Sequence, residues 1–542
     1  MMIIPPIVLY AETHYRFKYF FSFLKKSEPE IIVDAPHRVD PETPLPILVL
    51  IKDADRYPVN LIALNLTVLQ NNTPLYTETV HPPQPIPINT PYWWQIVELQ
   101  FREVLTNVFG HLRIVVDVLI EHNGKKRKIT NNNLRTSSKR PLHVYRSETK
   151  LPSIPGWIFG DTHTHSTYTN DQVEFGSPIS ASIALCKAMG LSFFCVTDHS
   201  YDLDDSLNNY LENDPALPKW NQLQKEVSDV NQQEKHFTVV RGEEVSCENS
   251  DGKTVHLLLF GTRKFFHGSG DGAERWFQTS CEHTVPSVLN NKELFTAAYA
   301  GHPTEEVPFL QQLLLNRGEW TKADMSAAGL HGIQILNGEL SDHFNNGLDV
   351  WRWLLLRGNK KFIAAGNDAH GNFNRFVQIG IPFFTIREKD SQLFGKMKTA
   401  LFSLPNEPAV VKALQQGKSV ITNGPLVTIE IETDRNGIGK IGETVQGEKF
   451  IFKIKAESSP EFGRFKSIRV ILGVIGKKEK VVRDILNFQN PYSLHIISDW
   501  ESVSAFSYIR AEAFTTEGKG IDRNGFCYTN PIWITPNEPY TE

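Results

Sequence analysis

The stretch Trp157-Ile158-Phe159-Gly160-Asp161-Thr162-His163-Thr164-His165 ends an apolar run on an aspartate and two histidines one residue apart. Successive side chains of a strand point to opposite faces, so His163 and His165 project side by side if the strand continues. Neutral imidazole is the commonest metal-binding side chain, and two adjacent rings suit a metal ion. A solvated loop pair is the competing reading, and residues elsewhere must decide between them.

The elements that would position further ligands are apolar strands at 157–161, 193–197, 237–241, 256–260, 297–300, 333–336 and 362–365, separated by helix-like stretches. The first of these stretches starts at Ser177-Pro178, read as N-cap and first helical residue, with Ile179, Ile183 and Cys186 at helical spacing. Near-continuous apolar strands in repeated βα units imply a parallel sheet buried on both faces. In such folds the active site lies at the C-terminal strand ends. The strand ends carry His163, His165 and Asp171; Asp198 and His199; Glu243 and Glu244; His302; Asn337; and Asp368 and His370, while His256 opens another run. Each has a local explanation, such as a turn at His302-Pro303 or a helix cap at Asp198-His199. Independent caps need not all be His, Asp or Glu, so their common placement points to a polynuclear metal site.

With 542 residues the chain is too long for one core. Residues 1–150 alternate with period two (Ile62, Leu64, Leu66, Val68; Leu112 to Ile120) between proline-rich turns, a β-sandwich signature. Residues 151–425 hold the strand–helix alternation, and period two returns over 426–542, as at Phe450, Phe452 and Ile454. A net charge of −5 gives no reason to expect nucleic acid, and Lys125–Lys128 after Asn123-Gly124 reads as a solvated hairpin tip. The five cysteines form no C-x-x-C pair and read as reduced thiols. The opening MMIIPPIVLYAETHYRF has neither a basic n-region nor a cleavage site. No signal peptide or membrane span is therefore expected, and the expected location is cytoplasmic.

Five motifs, DTHTHS (161–166), VTDHS (196–200), GEEVS (242–246), AGHP (300–303) and GNDAHG (366–371), occur in an order that resembles the PHP (polymerase and histidinol phosphatase) superfamily. The three-zone layout looks like the branch that includes aryl-carbamate hydrolases. The resemblance implies a PHP-type distorted seven-stranded (β/α) barrel, flanked by N-terminal and C-terminal β-sandwich-like domains. It implies a first metal on His163, His165, Glu244 and Asp368; a second sharing Glu244 and adding His256 and His302; and a third on Asp171, His199 and His370. Where the family places Asp or His, Asn170 stands here and Asp171 follows. Either the loop carries one extra residue or the third site is weakened. Strand alternation would turn Glu243 to the other face, and Asp198 is expected to accept a histidine N–H rather than ligate.

Nitrogen and oxygen ligands without thiolate suit two or three Zn, Mn or Fe ions. The expected chemistry is phosphate-ester hydrolysis by a metal-bridged hydroxide, with Glu244, Asp368 and His199 as its catalytic residues. The same cluster would serve an amide, ester or carbamate hydrolase. An amidohydrolase-type barrel also begins H-x-H, but it usually closes on a lone Asp with a bridging Lys. A non-catalytic binding module on a relic barrel is the alternative from another class. Arg375 could clamp a phosphate or carboxylate and Asn337 could orient substrate, against a surface arginine and an Asn-Gly turn. The expected partner is a small anionic substrate, with homo-oligomerisation possible. Gly268–Glu274 reads as a mobile loop, possibly a lid, and His283, His331 and His343 as bystanders.

Overall fold

A computed structural model describes residues 28–536 except 135–137, 171–174, 208, 271–278, 308–311, 314, 376–377, 382–383, 388–391 and 436. Near the N-terminus a three-stranded sheet (Glu30–Asp34, Leu45–Lys52, Tyr92–Leu99) and a seven-stranded sheet built on Val59–Gln70 and Gly110–His122 share one apolar core. Leu112, Ile114, Val116, Val118 and Ile120 all face it, as period two requires. Ile62 does not. The pairing register shifts between Leu61 and Ala63, and this irregularity turns Leu61 and Ala63 inward in its place. Asn123 (φ 50) and Gly124 (φ 71) make the tight turn that leaves Lys125 to Lys128 exposed.

The central sheet runs Phe362–Gly366, Gly332–Asn337, Ala297–Ala300, Thr254–Phe260, Thr238–Glu248, Phe193–Val196, Trp157–His165, Lys398–Phe402 and Ser419–Thr422. It then continues through Phe526–Thr529, Ser507–Thr516 and Arg464–Val474. A parallel trio (Trp157–His165, Phe193–Val196, Thr238–Glu248) is joined to another (Ala297–Ala300, Gly332–Asn337, Phe362–Gly366) by the antiparallel Thr254–Phe260. The sheet curls into a half-barrel, because Ala369–His370 returns to pair with Thr164 and His165.

This architecture corrects the expected PHP-type seven-stranded (β/α) barrel. Among the described residues strands hold 44% and helices 15%. The step from Glu248 to Thr254 is too short for a crossover helix: Asn249 and Gly252 (φ 70) close it as a turn, so the next strand must be antiparallel. On the other side Lys398–Phe402 runs antiparallel to Trp157–His165 and leads onward instead of closing a barrel. Ser419–Thr422 bonds directly to Phe526–Thr529, so one sheet of the C-terminal region continues the central one, and Leu426–Thr433 with Lys449–Glu457 covers it. A fully apolar strand has the same composition beside parallel or antiparallel neighbours, which is why the alternation misled. Helix Ile179–Ala188 begins one residue later than expected, with Pro178 at its N-cap position.

The three regions meet at Arg38. Its Nε and Nη2 donate to the two oxygens of Glu461 (2.8 and 2.9 Å), and Nη1 donates to Asp40 (2.9 Å) and to the carbonyl of Met189. A buried guanidinium paired on both edges fixes geometry more than it adds stability. Among the described residues no helix is long and apolar enough to cross a membrane.

Candidate metal centre

The concave side of the curl gathers buried histidines around Glu244. Their positions follow from strand geometry. His163 and His165 alternate onto one face of Trp157–His165, and Glu244 takes the same side from Thr238–Glu248. Glu243 faces away, where Ser200 Oγ (2.8 Å) and the Phe266 amide (3.2 Å) donate to it and burial raises its pKa well above the ordinary value. Gly366 lets the neighbouring strand approach, since a Cβ there would lie 2.5 Å from that of His163. Two ligand positions, His302 (φ 27) and Asp368 (φ 51), hold left-handed backbone, a cost of about 1–3 kcal/mol each that functional sites often carry.

Glu244 Oε2 lies 3.1 Å from His163 Nε2, 3.3 Å from His165 Nε2 and 3.2 Å from His199 Nδ1. Its Oε1 lies 2.7 Å from His256 Nδ1 and 3.3 Å from His302 Nε2. Asp368 Oδ1 sits 3.0 Å from His165 Nε2 and 3.3 Å from His163 Nε2. The rings of His165 and His370 stack at 4.2 Å. Three sets have ligand atoms mutually within 4.8 Å: His163, His165, Glu244 and Asp368; His199, Glu244 and His256; and His165, His199 and His370. Asp171, expected with the third set, lies outside the described residues, as do 271–274 of the expected lid.

These donors fit divalent ions. Both ring nitrogens of His199 and Oδ2 of Asp368 are buried and make no hydrogen bond among the described residues. Groups of this kind remain unpaired in a protein interior when something else satisfies them. Electrostatics agrees. Burial should lower the His163 pKa, but Glu244 and Asp368 overcome it and raise it to about 9. His165 is raised well above its ordinary value against the same burial, by its bonds to Asp368 and Glu244. Glu244 and Asp368 are held well below theirs, although burial opposes it, chiefly by His163. Protons on imidazole thus occupy the charge balance that a cation would supply. His370 is pushed the other way, to about 3, by burial and then by the charge of His165.

Supporting residues complete the frame. Asp198 accepts from Ser166 N and Oγ (both 2.7 Å) and from Thr169 N (3.1 Å), so it pins the loop after His165 instead of receiving the expected histidine N–H. Asp161, its pKa raised to about 6 by burial, accepts from Asn367 Nδ2, Gly395 N and His163 N. Gln334 had no ligand signature, yet its Oε1 accepts from His163 Nδ1 at 2.8 Å, which turns Nε2 toward the carboxylates, where a metal would displace its proton. Gln334 Nε2 donates to Asn337 Oδ1, and Asn337 Nδ2 donates to Glu305 (3.2 Å each), so the Asn337 side chain is committed to this relay. A buried amide in the apolar run Gly332–Asn337 was the available signal. Gln334→Leu should weaken metal binding about 10–100-fold, with Gln334→Glu recovering most of it. Competitive metal titration checks this, and unchanged affinity in the leucine variant would remove Gln334 from the centre.

Arg317 was also missed; its Nη2 lies 3.3 Å from His256 Nδ1. Arg375 is buried, with Nη2 donating to the His370 carbonyl (3.1 Å), while Nε and Nη1 find no acceptor among the described residues. Each such buried donor costs about 1–3 kcal/mol. His283, His331 and His343 lie outside the three sets; His331 accepts from Ala298 N and His343 contacts Thr304 O.

No family model matches the chain, and no curated protein matches it. Among solved structures, similar ones include a Bacteroides fragilis chain named as a beta-galactosidase (9% identity, TM-score 0.19, covering 94% of this chain and 74% of that one). Others are a glycosyl hydrolase family 2 member from Bacteroides cellulosilyticus (9%, 0.17, 96% and 64%) and a Parabacteroides merdae beta-glucuronidase (7%, 0.19, 94% and 64%). The chain thus spans less than two thirds of the latter two. TM-scores this low define no common fold.

Proposed function

We propose that this chain is a metal-dependent hydrolase that holds two or three divalent ions, Zn, Mn or Fe, and acts on phosphate esters. One observation carries the reading: four buried histidines and the partly buried His302 approach the two oxygens of a single carboxylate, Glu244, with Asp368 on two of the same imidazoles, those of His163 and His165. A carboxylate with ligand nitrogens on both oxygens suits a bridge between two ions. Ions held there supply Lewis acidity and lower the pKa of water from about 15.7 towards about 7.

The chain's own residues do the rest. Glu244 and Asp368 stay ionised, their charge balanced by imidazolium protons on His163 and His165 that a cation would displace. Neutral His370, beside His165 and His199, offers a lone pair at pH 7. Gln334 fixes the tautomer of His163, and Asp198 fixes the loop behind His165. Glycoside hydrolysis fits poorly, because it needs a protonated carboxylic acid apart from its partner. Here both carboxylates share the imidazole of His165 and are held far below the protonating range.

The test is turnover by Zn- or Mn-loaded protein of 4-nitrophenyl phosphate, 4-nitrophenyl acetate and an aryl carbamate. Chelator-sensitive release from the phosphate is expected. Turnover of acetate or carbamate alone would move the substrate to carbonyl compounds. No metal-dependent turnover on any of the three would overturn the reading.

A further inference from the structure

We propose that Arg375 anchors an oxyanion-binding recess beside the metal centre, one that receives the phosphoryl group of the substrate, and that the N-terminal sheets form its wall. The proposal rests on the metal-hydrolase reading and deepens it, since it names what selects the substrate.

The argument starts with the unspent donors. A guanidinium has five N–H groups and no acceptor. In Arg375, 3% exposed, Nη2 is bonded to the carbonyl of His370, while Nε and Nη1 have no hydrogen-bond partner among the described residues. That bond places the guanidinium directly behind a residue of the His165–His199–His370 set. The nearby carboxylate of Asp34 does not meet the need. Its oxygens accept from the backbone amides of Ala35 (2.9 Å), Phe373 (2.9 Å) and Arg375 itself (3.0 Å). Asp34 therefore fixes the backbone of the arginine and leaves its side chain for something else.

A second cation stands close by. Lys52, from the N-terminal strand Leu45–Lys52, puts Nζ 4.4 Å from the centre of the Phe175 ring, and the Arg375 guanidinium lies 4.6 Å from the same ring. Both cations are buried. Glu30 is the cross-strand neighbour of Lys52, so Lys52 adds to the local field without being the principal donor. Two buried cations around one aromatic ring, one with donors to spare, form a positive site that favours a compact, doubly charged anion. The N-terminal region also braces the segment from the other side: Asn374 exchanges two hydrogen bonds with the backbone of His143 (2.9 and 2.7 Å). The recess thus depends on residues from two regions of the chain.

Inorganic phosphate is the probe, titrated calorimetrically into metal-loaded and chelator-treated full-length protein, with bound metal counted in each sample. The parent should bind phosphate. Arg375→Met should weaken that binding at least about tenfold with the metal count unchanged, Arg375→Lys should recover part of it, and Lys52→Met should weaken it about threefold. In turnover, Arg375→Met should raise KM far more than it lowers kcat. Phosphate affinity within twofold of the parent in both Arg375 variants would overturn the recess and leave the metal reading standing. So would a parent that binds no phosphate. Metal lost together with phosphate in both Arg375 variants would also overturn it, because Arg375 would then only support His370. Phosphate binding to chelator-treated parent that disappears in Arg375→Met would uphold the recess even if the metal reading failed.

Discussion

Glu244→Gln is expected to fold, to bind less than one metal ion per chain, and to lose turnover by at least about a thousandfold, the scale on which a single preorganised electrostatic group registers in kcat. Glutamine keeps the volume and hydrogen-bonding capacity of the side chain but removes the charge. Glu244 contacts five histidines through its two oxygens, so this one substitution strikes every ion that uses the shared carboxylate. The loss should therefore exceed that of a terminal ligand. His302→Gln, which touches only Oε1, should retain part of both metal and rate. Far-ultraviolet circular dichroism establishes that the fold survives, and elemental analysis reads the ions. Metal content and turnover within twofold of the parent in Glu244→Gln would contradict the shared-ligand arrangement.

Across pH 6.5 to 9 the metal-free form should lose stability while the metal-loaded form, whose imidazole protons are already displaced, should change little. The His163 pKa is raised from 6.5 in the unfolded chain to about 9 in the fold, where Glu244 and Asp368 outweigh burial. A raised pKa contributes stability that is complete below 6.5 and is lost as pH climbs through 9. At about 1.4 kcal/mol per unit the loss from His163 is of order 3 kcal/mol, and His165 adds to it. Glu244 and Asp368 have depressed values, so their contribution is present above the ordinary carboxylate range and disappears on acidification. His370, held neutral to about pH 3, makes stability rise with pH up to 6.5, so on these groups together the metal-free protein should be most stable near pH 6.5. Metal binding must displace the imidazolium protons, so its affinity should rise by up to about tenfold per pH unit for each proton displaced. Denaturant unfolding of both forms at half-unit steps checks this. A metal-free form whose stability is flat or rising from pH 6.5 to 9 would contradict the charge balance described here.

The ligands were legible because their signal is local. Period-two alternation put His163 and His165 on one face, the G-x-E spacing of the PHP-like motif favoured Glu244 and alternation then turned Glu243 away, and the structure places those side chains accordingly. What frames them was not legible. The antiparallel turn at Asn249–Gly252 reads like any loop, and the partner of an apolar strand is decided by chain segments far away. Nothing near Ser419–Thr422 announces that it pairs with Phe526–Thr529. The same motifs that located the ligands therefore led to a closed barrel that the open, curled sheet does not form. Ile62 failed for a smaller reason, since one register shift exchanges the two faces of a strand. Gln334 and Arg317 were missed because an amide and an arginine carry no metal signature, and only their burial beside His163 and His256 gives them a role. Asp198 was expected to accept a histidine N–H, but it accepts instead from the amides of Ser166 and Thr169 and the Ser166 hydroxyl.

The most direct measurement is the number of metal ions per chain, by elemental analysis of protein purified without chelator and again after reconstitution with Zn, Mn or Fe. The account predicts two or three equivalents, matching the three overlapping ligand sets around Glu244. Less than one equivalent, even after reconstitution, would contradict it and leave the histidine cluster a proton-balanced element of the core.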